Sequence, residues 1–267
     1  MRVRLVCSCG LLLSARGTSI LIDAPNGALT PFYRLPDAAL RQLADETELC
    51  GLVFTHLHPD HYDAARAAQL MAARSGLSLS LPTEAARQSI RIGAFTVERH
   101  RIAHMPAPAL GDCAHDVLLV SDGAQTIYLA ADAMPDAAAH RAALNGRRVD
   151  AAFWNSQYLS YPETRALLRG CAGRSYIYHM PEGALMDSAI GRKCEKNLLR
   201  YGADLENVSV LTCYPAELEL YGARRMGKAH SARFSVLREI SPVQEHVESR
   251  RHTVRVGGEP PSKPWKG

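Results

Sequence analysis

Short apolar runs separated by turn residues open the chain. Positions 3–6, 10–14 and 19–22 are β-prone, and Arg16-Gly17-Thr18 supplies a hairpin turn between the last two. Asp23-Ala24-Pro25-Asn26-Gly27 ends the third run with turn chemistry. Leu40, Leu43 and Ala44 then fall at helical spacing behind Asp37, which predicts a helix with Asp37 as its N-cap. A short buried strand over 49–55 runs straight into His56-Leu57-His58-Pro59-Asp60-His61-Tyr62-Asp63, and the Ala-rich stretch 64–74 behind it reads as a helix.

The same alternation continues. Strand pieces are predicted over 89–92 and 94–98, and 116–121 pairs with 126–130 as a hairpin across Asp122-Gly123-Ala124-Gln125. A buried strand over 149–154, a helix over 162–169 and a strand over 175–178 lead to His179. A helix over 193–201 and a strand over 208–211 follow. Strands mixed with helices, in two hairpin-rich halves, predict layered sheets covered by helices, an α+β class. There is no internal repeat, and the Gly/Pro-rich stretch 257–264 reads as a loose end.

Composition narrows this picture. The 267 residues, 47% of them apolar, supply a core for one large domain and exclude a disordered chain or a disulfide-stapled miniprotein. Seven cysteines, an odd number, and no apolar run of signal-peptide quality after Met1-Arg2-Val3-Arg4 predict reduced thiols in a cytoplasmic protein. No apolar stretch is long enough for a membrane span.

The net charge of +4 is unevenly spread: residues 224–267 hold ten Lys/Arg against four Asp/Glu, while the first 223 hold 21 against 23. The chain therefore divides into a globular domain, 1–223, and a basic C-terminal extension, 224–267, solvated and partly flexible. A basic tail attracts phosphates, but without aromatic interleaving this one favours a solvated terminus over nucleic-acid binding.

The chemistry concentrates in His56, His58, Asp60 and His61, three imidazoles and one carboxylate within six residues on a loop after an apolar strand. A lone histidine is usually structural or exposed; four such groups at this spacing point to a metal. His56 and His58, two apart, can grip one ion, and Asp60 and His61 can face a second position. Imidazole and carboxylate suit Zn²⁺, and also Mn²⁺ or Fe²⁺. Cys7 and Cys9 form a C-x-C with no second thiol pair at zinc-site spacing, which predicts buried thiols. No nucleophile elbow, phosphate-binding loop or dinucleotide fingerprint is present.

These four residues match in full the H-x-H-x-D-H signature of the metallo-β-lactamase-fold hydrolase superfamily, which the chain resembles over about residues 1–215. Further points of resemblance are the strand ending Leu21-Ile22-Asp23, His104 after 99–103, Asp132 closing Ile127-Tyr128-Leu129-Ala130-Ala131, and His179 closing Tyr176-Ile177-Tyr178. The family more often has Gly-Asp where this chain has Ala131-Asp132. The resemblance implies a four-layer αβ/βα sandwich in a single domain. It implies two divalent ions, zinc first among them, one held by His56, His58 and His104 and the other by Asp60, His61 and His179, with Asp132 bridging. His100 and His115 compete with His104 for its position, and His115 also reads as a substrate-pocket residue. Asp23 and Asp63 fit better as partners that orient imidazoles, or as turn residues, than as ligands.

By the same resemblance the chain is an enzyme, a metal-dependent hydrolase that uses a hydroxide held between two ions, with Asp60 as the catalytic residue that orients or deprotonates water. The bridging Asp132 and the missing arm of the tRNA 3′-processing nucleases turn the substrate expectation to a small phosphodiester, slightly preferred, or a lactone. The alternative from another class is a nucleic-acid-processing or nucleic-acid-binding factor that uses the basic tail. A non-catalytic metal-binding descendant and a ferrous, oxygen-handling site are further readings of the same ligands.

Overall fold

Side chains along the central strands alternate between two apolar environments, so both faces of each sheet are covered at its centre. The computed structural model describes residues 1–181, 183–202, 205, 207–211 and 216–220. In chain order the first elements are β1 (Arg2–Leu5), β2 (Leu11–Ala15), β3 (Thr18–Ile22), α1 (Asp37–Asp45), β4 (Leu49–Val53), α2 (Ala64–Ala73) and β5 (Ser78–Ser80). Next come β6 (Arg87–Ile92), β7 (Phe95–Arg101), β8 (Asp116–Ser121), β9 (Thr126–Leu129), α3 (Ala137–Leu144) and β10 (Val149–Asn155). The last are α4 (Pro162–Gly170), β11 (Ala172–Tyr178), α5 (Ala189–Tyr201), β12 (Val208–Val210) and β13 (Ala216–Glu219), with 3-10 turns at Ser156–Ser160 and Gly183–Asp187. The proposed division at 223 and the basic segment 224–267 lie outside the described residues.

One sheet runs β13-β1-β2-β3-β4-β5 and the other β12-β11-β10-β9-β8-β7-β6. Leu11, Leu13, Ile20, Ile22 and Val53 of the first sheet pack against Val97, Leu118, Val120, Leu129 and Phe153 of the second, forming the core between them. On the outer side of the first sheet, Leu12, Leu21 and Leu52 meet Leu40 and Leu43 of α1 and Leu70 of α2. On the outer side of the second, Val117, Leu119, Tyr128 and Trp154 meet Leu144, Leu167, Leu168 and Cys194 from α3, α4 and α5. This is the four-layer αβ/βα sandwich.

Local signals account for most boundaries. The β2–β3 turn places Arg16 and Gly17 at φ +52° and +72°, the left-handed pair that a two-residue hairpin needs. Asp63 caps α2 by accepting from the Arg66 amide at 3.0 Å. At α1 the expectation is corrected: the N-cap is Pro36, without a side-chain cap, and Asp37 lies inside the first turn. The Asp37 carboxylate is instead occupied by the Arg66 guanidinium at 3.0 Å.

The topology also positions the site. β3 and β4 are parallel, as are β9, β10 and β11, so all five strands deliver their C-terminal ends to one region. Asp23, His56, Asp132, Asn155 and His179 all stand at or just beyond those ends. No helix among the described residues is long and apolar enough to cross a membrane.

Candidate metal centre

Three residues around this region hold left-handed backbone conformations although none is glycine: Asp23 at φ +50°, Ala131 at +45° and His179 at +59°. Each sits where a strand stops, and the turn directs Asp23, Asp132 and His179 toward the same point. Such conformations cost energy and persist where packing fixes them, typically at functional sites.

Two groups of donors meet there. His56, His58 and His104 form one, and Asp60, His61, Asp132 and His179 the other; within each group the donor atoms lie within 4.8 Å of one another. In the second group His61 Nε2 is 3.0 Å from His179 Nε2, 4.0 Å from Asp60 Oδ2 and 3.6 Å from Asp132 Oδ2. His179 Nε2 is 3.3 Å from Asp60 Oδ2 and 3.4 Å from Asp132 Oδ2. Four ligands around a tetrahedral zinc ion at about 2.1 Å are separated by about 3.4 Å, so these separations fit one cation. Asp132 Oδ2 also lies 3.9 Å from His104 Nε2, which joins the two groups.

The hydrogen bonds around the rings fix their tautomers. The Thr55 hydroxyl donates to Asp23 Oδ2 at 2.8 Å and accepts from His56 Nδ1 at 3.1 Å. That leaves the lone pair of His56 on Nε2, which is buried and has no partner among the described residues. His104 donates from Nδ1 to the Met105 carbonyl, and its Nε2 is likewise buried and unpartnered. His58 donates from Nε2 to the Gly111 carbonyl at 3.2 Å, leaving its lone pair on Nδ1. His61 donates from Nδ1 to Asp23 Oδ2 at 3.0 Å. Buried unpaired nitrogens are costly; those of His56 and His104 belong to one donor group, and a shared cation would remove the cost. Carboxylate and carbonyl partners on the far side of an imidazole are the usual support for a metal-binding histidine.

Charge divides the two groups. Burial, with His61 and His115 nearby, holds His56 well below the ordinary histidine range, and burial also lowers His104. Both rings are therefore neutral and ready to ligate. In the second group burial opposes charging, yet Asp23, Asp132 and Asp60 outweigh it and hold His61 well above its ordinary value. His179 is pushed up to about 9 by Asp132 and Asp60 against the same burial. Burial of Asp132 is outweighed by His179 and His61, which keep its carboxyl well below the usual range. Without a cation, positive charge on the His61–His179 pair would offset the neighbouring carboxylates.

Of the competing histidines, His100 lies in β7 opposite Arg87 and Val117, with Nε2 3.6 Å from Glu98, away from both groups. His115 is 1% exposed and does not line the cavity over the centre. Its Nε2 accepts from the Asp132 amide at 3.2 Å, so it supports the residue that joins the groups. Asp23 and Asp63 act as orienting and capping groups. Cys7 and Cys9 are fully buried behind the site, and Cys9 donates to the Asp60 carbonyl at 2.8 Å.

Two neighbours escaped the sequence reading. Asn155 donates from Nδ2 to Asp132 Oδ1 at 2.9 Å, and Phe32 packs its ring 4.2 Å from that of His179. Asn155 carries the signal used for Asp132, a polar residue closing an apolar strand; Phe32 carries none. Above the centre lies a cavity of about 380 Å³, walled by Leu29, Thr30, Phe32, residues 105–110 and the start of α5.

No protein-family model matches the sequence, and no curated protein matches it. Solved structures do match the fold. The metallo-β-lactamase-fold protein YhfI from Bacillus subtilis superposes with TM-score 0.54 and 14% identity, over 81% of this chain and 98% of that one. A protein from Veillonella parvula described as a possible metal-dependent hydrolase gives TM-score 0.56 and 15% identity, over 82% and 99%. An isothiocyanate hydrolase from Delia radicum gut bacteria gives TM-score 0.53 and 15% identity, over 84% and 100%. With the layer order, the strand-end placement of the donors and the two donor groups already in hand, these superpositions settle the architecture: the chain has the metallo-β-lactamase fold.

Proposed function

We propose that the chain is a metal-dependent hydrolase that works with two divalent cations, zinc first, and cleaves a small phosphodiester or a lactone. The observation that carries this is the position of Asp132 Oδ2, 3.9 Å from His104 Nε2 in one donor group and 3.4 Å from His179 Nε2 in the other. A carboxylate placed in this way would help to balance the charge of two cations. His56, His58 and His104 would hold one ion; Asp60, His61 and His179 would hold the other. When bound, such a pair supplies Lewis acidity and a water acidic enough to ionise near neutral pH.

The chain's own residues supply position and proton handling. Asn155 ties down Asp132 Oδ1 and leaves Oδ2 for the centre. Asp60 Oδ1 is buried with no partner among the described residues, so it can orient a water or accept its proton. Support for the reaction type comes from two proteins of the same fold, one described as an isothiocyanate hydrolase and one as a possible metal-dependent hydrolase.

The test is chelation and restoration. Purified protein should hydrolyse a generic phosphodiester or lactone, lose the activity on treatment with a chelator, and regain it with Zn²⁺ or Mn²⁺. Turnover that survives complete metal removal contradicts the proposal.

A further inference from the structure

The cavity over the donor groups has a polar floor and a wall that is largely apolar. Its walls include Leu29, Phe32, Met105, Pro106, Leu110 and Ile190. Ile190 and Leu110 stay 43% and 37% exposed at the mouth, where nothing in the core requires them. Among the described residues that line the cavity, Lys193 is the one lysine or arginine. It stands on α5, and its ammonium donates to Gln157 Oε1 at 3.2 Å. Gln157 lies in the 3-10 turn capped by Asn155, which itself holds Asp132. The cation thus stands at the end of the chain Asp132–Asn155–Gln157, out on the α5 side of the cavity and apart from the floor.

From this arrangement we infer that the site takes a compact acyl substrate, a lactone or carboxylic ester with an apolar body and one carboxylate distant from the scissile bond, and that Lys193 pairs with that carboxylate. The inference rests on the hydrolase reading above. Volume, wall and charge agree on it. About 380 Å³ suits a small organic molecule. Apolar walls favour methylenes, and each one buried raises kcat/KM about fourfold. A nucleic-acid strand repeats its charge and needs several cations along its path, whereas this cavity offers one. A simple phosphodiester carries its charge at the reacting phosphorus, over the floor, and gives Lys193 nothing to pair with. In the reaction the acyl C–O bond breaks as water adds its oxygen to the acyl carbon; one proton leaves with the alcohol, and a second is released as the new carboxylic acid ionises.

The experiment compares 4-nitrophenyl acetate, 4-nitrophenyl hexanoate, the mono-4-nitrophenyl ester of adipic acid and bis(4-nitrophenyl) phosphate on the metal-loaded protein. The expected order of kcat/KM is adipate half-ester, hexanoate, acetate, with the phosphodiester below the hexanoate. Lys193→Met should reduce the adipate-to-hexanoate ratio about threefold to fivefold, the size expected for an exposed charge pair, and the effect should shrink in high salt. Calorimetric titration with adipate gives a readout without turnover, and Lys193→Met should weaken that binding by a similar factor. A phosphodiester preferred over the hexanoate, or a ratio and an adipate affinity both unmoved by Lys193→Met, overturns the inference and leaves the hydrolase reading standing. Absence of turnover of all four substrates overturns the hydrolase reading, and the inference falls with it.

Discussion

Asp23 Oδ2 accepts a hydrogen bond from His61 Nδ1 at 3.0 Å, with both side chains fully buried. The same carboxylate accepts from the Thr55 amide at 2.7 Å and from the Thr55 hydroxyl at 2.8 Å, and that hydroxyl in turn accepts from His56. One aspartate beyond the end of β3 therefore orients a ring in each donor group. Asp23→Asn keeps the volume but removes the charge, and should weaken metal binding at the second group about 10- to 100-fold. Competition titration against a chromophoric chelator measures this. An unchanged affinity would mean that Asp23 serves the fold alone.

Asn155→Ala removes the donor that holds Asp132 Oδ1 and leaves that oxygen without its 2.9 Å partner. The carboxylate can then rotate, and positioning errors at a reacting centre are expensive. We expect kcat to fall about tenfold or more while the melting temperature moves by only a few degrees. A fall in stability as large as that in rate would assign Asn155 to the scaffold.

Gly10 lies where the loop after β1 passes Asp23. A Cβ there would stand 2.5 Å from Cys7 Sγ, 2.9 Å from Ala24 Cβ and 3.2 Å from the Asp23 carbonyl. Gly10→Ala should destabilise the protein by about 1–3 kcal/mol through overpacking and, by displacing Asp23, should weaken metal binding as well. Denaturant unfolding followed by metal titration tests both effects. Wild-type values in both would show that the loop yields without cost.

His140 links α3 to the turn that follows Asp132. Its Nδ1 accepts from the Tyr128 hydroxyl at 2.6 Å and its Nε2 donates to the Met134 carbonyl at 3.0 Å. Burial lowers its pKa from 6.5 to about 4, so the folded ring is neutral where the unfolded ring takes up a proton. The unfolded state binds the extra proton between these values, so stability falls as pH drops from 6.5 to about 4, by about 3 kcal/mol in all. Denaturant unfolding of His140→Gln should show lower stability at pH 7 and a shallower loss below pH 6.5. Parallel curves for the two proteins would contradict this.

The legible parts of the site are those that lie close together in sequence. His56, His58, Asp60 and His61 share one loop, so their chemistry is visible without the fold. His104 is different, because only the tertiary structure separates it from His100 and His115. The β7 ladder carries His100 away with Arg87 and Val117, while His104 leaves the strand and bridges to Ala133 beside Asp132. Strands with apolar residues on both faces, such as β8 and β9, were plain from their runs. Helix α3 was not, because its buried face is Ala137, His140, Ala143 and Leu144 and lacks apolar contrast. Strand β5 has three residues, too few to show a pattern. Phe32 and Lys193 acquire meaning only when distant segments close the cavity around them.

If Asp132 joins the two donor groups as proposed, the chain would hold two ions. The most direct test is metal stoichiometry by elemental analysis after reconstitution and removal of excess ion. The wild type should hold two equivalents per chain and His58→Ala one, since that change removes a donor of one group and leaves the other whole. One equivalent or none in the wild type, or two retained in His58→Ala, would contradict this.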